Sequence, residues 1–147
     1  MLFKPALCEQ ILCGYKTQTR RIVKDTERLW GSTPEEVISE KHALAPLRTK
    51  WRVGRTYAVQ PGRGKPGIGR ILLKEIRKER LNDITPEGCW AEGIDRHSFY
   101  AGGDERANAL NDFEFLWDSI NDRPGIRWKD NPDVWVLEFE AVTEATP

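Results

Sequence analysis

Gly14-Tyr15-Lys16-Thr17-Gln18-Thr19-Arg20-Arg21 is the stretch on which the reading of this chain turns. The residues before it predict a short helix. Pro5 suits a first helical turn, where its missing N–H costs nothing. Leu7, Cys8, Ile11 and Leu12 then recur at helical spacing and make one apolar face. Gly14 is a natural C-terminal cap. A helix over 5–13 is expected, with 14–21 as the loop leaving it. That loop gathers one Lys, two Thr and two Arg. Its plain reading is an exposed polar turn. Its chemical reading is a nucleophile–base pair, in which the amine of Lys16 takes the hydroxyl proton of Thr19. Such an amine needs a lowered pKa, from burial or from a neighbouring cation such as Arg20 or Arg21.

Working outward, Met1 to Phe3 reads as a short strand. Residues 25–50 lack an apolar period and read as an insertion over the core, with a helix start at Ser32-Thr33-Pro34-Glu35-Glu36. Strands are expected at 56–60 and 68–76, close enough to form an antiparallel hairpin. Thr85-Pro86-Glu87 opens a helix, with Thr as N-cap and Glu at the positive end of the dipole, and Gly93 ends it. Residues 95–111, with Gly102-Gly103, read as a flexible loop. Phe113, Leu116, Trp117 and Ile120 fall at i, i+3, i+4 and i+7 and predict an amphipathic helix. Val134 to Val142 is a closing strand, with Trp135, Leu137, Phe139 and Ala141 on one face. No βαβαβ rhythm appears. The class is α+β: one domain over 1–147, a small, mostly antiparallel sheet or barrel flanked by short helices.

Lys and Arg total 23, as do Asp and Glu, so a global field argument for nucleic acid fails. The charge is nonetheless uneven. Arg48 to Arg80 holds eleven basic residues against Glu75 and Glu79, a balance of +9, whereas 81–147 carries a balance of −10. Either the halves pair on a solvated surface or the basic half meets an anion. Cys8, Cys13 and Cys89 form no CxxC pair, and His42 and His97 lie far apart. This spacing argues against a zinc site and a disulfide framework, so no metal and no cofactor are expected. No segment approaches the ~20 apolar residues of a membrane span, and a cytoplasmic protein with reduced thiols is expected.

Gly62-x-Gly64-x-x-Gly67 matches GxGxxG, but a dinucleotide motif must open a helix, and Pro66 with the aliphatic run after it points to a strand. The stretch reads as a hairpin tip, or as a cationic loop in which Arg63 and Lys65 touch phosphate. Lys74, Arg77, Lys78 and Arg80 read as a solvated face or a phosphate-contacting rim. Trp117 and Trp135 read as core; Trp128 is either a partly buried anchor or a base-stacking ring.

Taken in order, these motifs resemble the ASCH family of the PUA-like superfamily. The carrying residues are Gly14-x-Lys16-x-x-Thr19-x-Arg21, similar to the family's GxKxxTxR signature; Val53-Gly54-Arg55-Thr56-Tyr57; Leu81-x-Asp83-Ile84-Thr85-Pro86-Glu87 through Gly93; Phe113-x-x-Leu116-Trp117-Asp118-Ser119-Ile120-Asn121; and Val134 to Phe139. With Asn131-Pro132 before the last strand, the pattern is most like phage and prophage members. The resemblance implies a small PUA-like β-barrel with a cleft beside the GxKxxTxR loop, and RNA binding. Some small members are amidohydrolases of N4-acylcytosine nucleosides that use a Lys, a Thr and a Glu. Matched by position, these fall on Lys16, Thr19 and Glu92, with Glu87 as the fallback for the carboxylate. The chain departs from those hydrolases at 25–50, at 95–111, and at Arg55, where the family usually has Asp.

Three readings follow. The first is a module that binds RNA or a modified nucleoside, with Arg20, Arg21, Arg63, Lys65 and Arg70 on phosphates. The second is a hydrolase, an amidohydrolase or nuclease-like enzyme, using Lys16, Thr19 and Glu92. The third is a phage-encoded host-interaction protein whose basic and acidic halves simply pair. Oligomeric state is not legible in the sequence.

Overall fold

The computed structural model describes residues 1–24, 27–28, 47–96 and 104–142. Four strands form one antiparallel sheet: β1 (Gln18–Ile22), β6 (Asp133–Ala141), β5 (Arg70–Arg80) and β4 (Thr56–Ala58), in the order β1-β6-β5-β4. A small parallel pair, β2 (Glu27–Arg28) with β3 (Leu47–Arg48), stands apart. Helix α1 spans Pro5–Leu12, α2 Pro86–Ala91 and α3 Glu105–Ile120. The predicted α+β class and the β4–β5 hairpin hold. The expected helix at 32–36 lies outside the described residues.

The sheet is a curled half-barrel, and the start of the chain bends it toward closure. Leu2 bridges Gln60 beyond the end of β4, with Phe3 N donating to the Gln60 carbonyl at 3.0 Å and Gln60 N to the Met1 carbonyl at 2.9 Å. From the opposite edge, Arg21 on β1 donates through Nη2 to the Leu2 carbonyl at 2.7 Å. A side chain thus spans the gap that strand pairing leaves open.

Strand β6 lies at the centre, and Val134 through Leu137 are all buried. Side chains alternate faces along a strand. Val134 and Val136 therefore pack under α2 and α3 with Cys89, Phe113 and Trp117, while Trp135 and Leu137 meet Trp51 and Leu73 on the other side. Phe139 continues that second face against Cys8 and Ile11 of α1. The one-face expectation for Trp135, Leu137 and Phe139 holds, and the opposite face is equally dry.

Three boundaries differ from expectation. Residues 18–21, read as loop, belong to β1: Gln18 pairs with Glu138 and Arg21 with Trp135. Strand β5 runs on through the charged stretch to Arg80, because β6 supplies carboxylates across the ladder. Helix α3 starts at Glu105, inside the stretch 95–111 read as a loop. Asp104 caps it by accepting from Arg106 N at 3.0 Å, so a solvated polar first half hides a regular helix.

Candidate functional site

The Gly14 turn places Lys16. With φ at +84°, Gly14 reverses the chain after α1, and the amides of Tyr15 and Lys16 both donate to the Gln10 carbonyl, at 2.9 and 3.0 Å. The following segment docks on the end of α2: Thr17 N donates to the Ala91 carbonyl at 2.8 Å and the Tyr15 hydroxyl to the Ile94 carbonyl at 2.8 Å. Helix α2 begins as the sequence suggests, with Thr85 Oγ1 accepting from Gly88 N at 3.1 Å. Gly93, at φ +109°, ends it, and the last turn presents Glu92 to Lys16.

Lys16, only 2% exposed, makes three bonds through Nζ: to the Gln18 carbonyl at 2.7 Å, the Glu92 carbonyl at 2.7 Å and Glu92 Oε1 at 3.0 Å. A carbonyl at a helix end has no partner within the helix, and a lysine is a suitable donor to it. Arg20, 5% exposed, takes the other carboxylate oxygen, Nη1 to Glu92 Oε2 at 3.1 Å. Its Nη1 also donates to Gln18 Oε1 at 3.2 Å, and Nη2 lies 3.7 Å from Glu79. One carboxylate, 6% exposed, thus holds two buried cations. Burial pulls the Lys16 pKa below its ordinary value; the Glu92 charge and hydrogen bond push back, and Arg21 and Arg20 add to the fall. The bonding constrains which form exists at rest. A neutral amine has two N–H donors, so a proton lost from Nζ would leave one of the three oxygens facing a lone pair.

Beside this cluster lies a cleft of about 430 Å³. Lys16, Thr19, Arg20, Arg21, Arg63 and Glu92 all line it. Its apolar walls come from Leu2 and Phe3 at the start of the chain and from Leu116, Trp117 and Ile120 of α3. Among the described residues no hydrogen bond engages the buried Thr19 hydroxyl. The Arg21 guanidinium lies 4.9 Å from the centre of the Phe3 ring, and its Nε is buried without a partner. Burial lowers the Arg21 pKa against the opposing pull of Glu92, yet a guanidinium stays charged in proteins.

The sequence-predicted residues therefore divide. Lys16, Thr19, Glu92, Arg21 and Arg63 meet at the cleft. Arg20 also lines it, but its guanidinium is bonded into the ion cluster, not displayed as a phosphate contact. Lys65 and Arg70 lie outside, and Arg70 is bonded to Thr56 of the neighbouring strand at 3.0 Å. Glu87 is on the surface, paired with Arg106 at 2.6 Å, which pulls its pKa down, so it is no substitute for Glu92. The phosphate-rim alternative for the β5 charges gives way to pairing: Arg77 with Glu79 and Glu138, Lys74 with Glu140, Arg80 with Asp133. Trp128 packs edge-on against Phe113 at 6.1 Å, as an anchor and not as a base platform. Sequence reasoning missed Phe3, Trp117 and Asn121 as cleft residues. Only the α3 periodicity hinted at the second, and it pointed to the core. Among the described residues no group of three or more His, Cys, Asp or Glu is placed to hold a metal.

Comparison with solved structures places the fold. A DUF984 protein from Enterococcus faecalis overlaps with a TM-score of 0.57, at 12% identity over 93% of this chain and 67% of its own. An ASCH domain from Lactobacillus crispatus overlaps more loosely, with a TM-score of 0.46 at 20% identity over 92% of this chain and 70% of that one. An ASCH protein variant from Zymomonas mobilis gives 0.43 at 12%, over 98% and 73%. The fold is similar to that of the DUF984 structure. At these identities the likeness concerns the fold alone. No protein-family model matches the chain, and no curated protein does. Among the described residues no helix is long and apolar enough to cross a membrane.

Proposed function

We propose that the cleft binds a nucleoside-like unit, free or within RNA, with the base against Leu116 and Trp117 and a phosphate at Arg21 and Arg63. The observation that carries this reading is the meeting of Arg21 and Arg63 with apolar walls in one cleft of about 430 Å³. That size lies in the range of small-molecule sites, which are apolar with a few fixed polar groups. Glu92 is the lining acid and is already neutralised by Lys16 and Arg20, so the cleft favours an anion. The ion cluster acts as a rigid floor, which lowers the ordering cost of binding. The test is titration with cytidine and uridine 5′-monophosphates, followed by tryptophan fluorescence at two salt concentrations. Saturable binding that weakens with salt and falls at least tenfold in Arg21→Ala is expected. No binding at millimolar nucleotide, or affinity indifferent to both changes, sinks the reading.

A second reading is favoured by the unbonded Thr19 hydroxyl. In it, Thr19 attacks the acyl carbonyl of an N4-acylcytosine nucleoside, Lys16 takes the hydroxyl proton and returns it to the leaving amine, and water then hydrolyses the acyl-threonine ester to release the acid and restore the hydroxyl, while Glu92 positions Lys16. It ranks below binding because Lys16 must first give up one of three good acceptors. Incubation with N4-acetylcytidine, alongside Lys16→Ala, decides it, and absence of turnover by the parent protein retires it for that substrate. On the same footing we take the setting to be cytoplasmic, since Cys8, Cys13 and Cys89 are all free, and the affinity with phage and prophage members to rest on the whole motif pattern, with Asn131-Pro132 before the last strand.

A further inference from the structure

Arg21 and Arg63 do not close the cleft; they separate it from a second groove of about 790 Å³, and Leu2, Ile22 and Asn121 also line both. Among the described residues every charged side chain that lines this groove is cationic. Arg21, Lys24, Lys50, Arg63 and Arg123 line it, and among the described residues no Asp or Glu does. In a chain with as many acids as bases, that is a strong local imbalance. The contrast with β5 is direct, because there Lys74, Arg77 and Arg80 each have a carboxylate. Among the described residues Arg63 and Arg123 have no ion pair, and Lys50 rests over the Trp51 ring at 4.5 Å. Positive charge without counter-charge, as at Arg63 and Arg123, costs stability by self-repulsion, which an anionic chain along the groove would relieve.

Building on the nucleotide reading of the cleft, we infer that the ligand is a single-stranded polynucleotide whose neighbouring phosphates run along this second groove. One base enters the apolar cleft at Trp117, the strand passes between Arg21 and Arg63, and the following phosphates meet Lys50 and Arg123. A base must leave its stack to enter such a cleft, and a single strand allows this at the lowest cost. The phosphate contacts position the strand without reading its sequence.

The test compares four probes: cytidine 5′-monophosphate, a cytidine hexaribonucleotide, a ribonucleotide duplex of the same length, and heparin. The hexamer should bind at least tenfold tighter than the mononucleotide, and tighter than the duplex. Its log affinity should fall against log salt with a slope of about −2, for roughly three single-strand phosphates. The double variant Lys50→Ala/Arg123→Ala, which leaves the deep cleft alone, should lose the hexamer advantage and keep mononucleotide affinity. Arg123→Glu alone should weaken the hexamer by a similar route and guards against a folding defect at Lys50. A hexamer no tighter than the mononucleotide overturns this inference and leaves the cleft reading standing. Equal binding of the duplex, or heparin displacing the hexamer while the mononucleotide does not bind, overturns it as well, since the groove is then a general polyanion surface. No binding of any probe ends both.

Discussion

Replacing Glu92 by Gln removes the carboxylate between two buried cations while keeping its shape. Lys16 and Arg20 side chains are each 2% exposed, so water cannot take over that charge compensation. Removing one partner of a buried pair costs about 3–5 kcal/mol. The amide still accepts one bond, and Lys16 keeps its two carbonyl acceptors, so the lower half of that range is expected at pH 7. At this chain length each kcal/mol moves the melting midpoint by about 2–4 °C, a fall on the order of 10 °C by far-UV circular dichroism. The pH dependence has a definite sign. Glu92 is what raises the Lys16 pKa against burial, so the variant's folded lysine lies further below its unfolded value. Between those two values the unfolded chain holds more protons, and stability rises with pH. The deficit is therefore full below the folded pKa and shrinks as pH climbs toward about 10.4, the unfolded lysine value. Lys16→Met, which leaves Glu92 paired with Arg20, should cost less. A Glu92→Gln loss under about 1 kcal/mol with no pH dependence would refute the claim that this carboxylate holds the cluster together.

Three further outcomes follow from the same coordinates. Under native conditions at pH 8 a thiol reagent should modify one cysteine quickly, Cys13. Cys8 is buried and its pKa raised, and burial pushes Cys89 up to about 12; two or three fast thiols by mass spectrometry would contradict this. Gly93→Ala should destabilise by about 1–3 kcal/mol, since its backbone is at φ +109° and a Cβ would press on the Gln10 side chain; an unchanged urea midpoint would contradict it. Burial pushes the Glu138 carboxyl up, but the hydrogen bonds donated by Arg77 and Gln18, with the Arg77 charge, bring it below its ordinary value. Stability from that site is present above the unfolded pKa and lost as pH falls through the folded one, so Arg77→Met should flatten the acid limb of the stability profile, and an unaltered limb would count against the pairing.

The parts of the fold legible in the sequence are those written in apolar period and caps. Phe113 to Ile120, the Thr85-Pro86 start, and the β4–β5 hairpin with Gly64 at φ +76° in its connection all read correctly. What escaped is where charge decides structure. Thr19 to Arg21 look like a polar loop because local pattern assigns Lys and Arg to solvent. Here they sit on an edge strand whose inner face is filled by an ion cluster completed by Glu92, more than seventy residues away. The charge run at Arg77 to Arg80 stays in β5 for the same reason, since its carboxylates come from β6. The polar first half of α3 carried only one signal, Asp104 as a cap. In the cleft, Lys16 and Thr19 were reachable through the GxKxxTxR resemblance, and Glu92 through the likeness of the second helix up to Gly93. Phe3, Trp117 and Asn121 were not, because their role depends on the start of the chain facing the end of α3 across the cleft.

A crystal soaked with cytidine 5′-monophosphate tests the central claim most directly. Density for the base between Trp117 and Thr19, with the phosphate within hydrogen-bond distance of Arg21 or Arg63, is the predicted result. Nucleotide bound only at the paired charges of β5 and β6, with the cleft empty at saturating concentration, would contradict it.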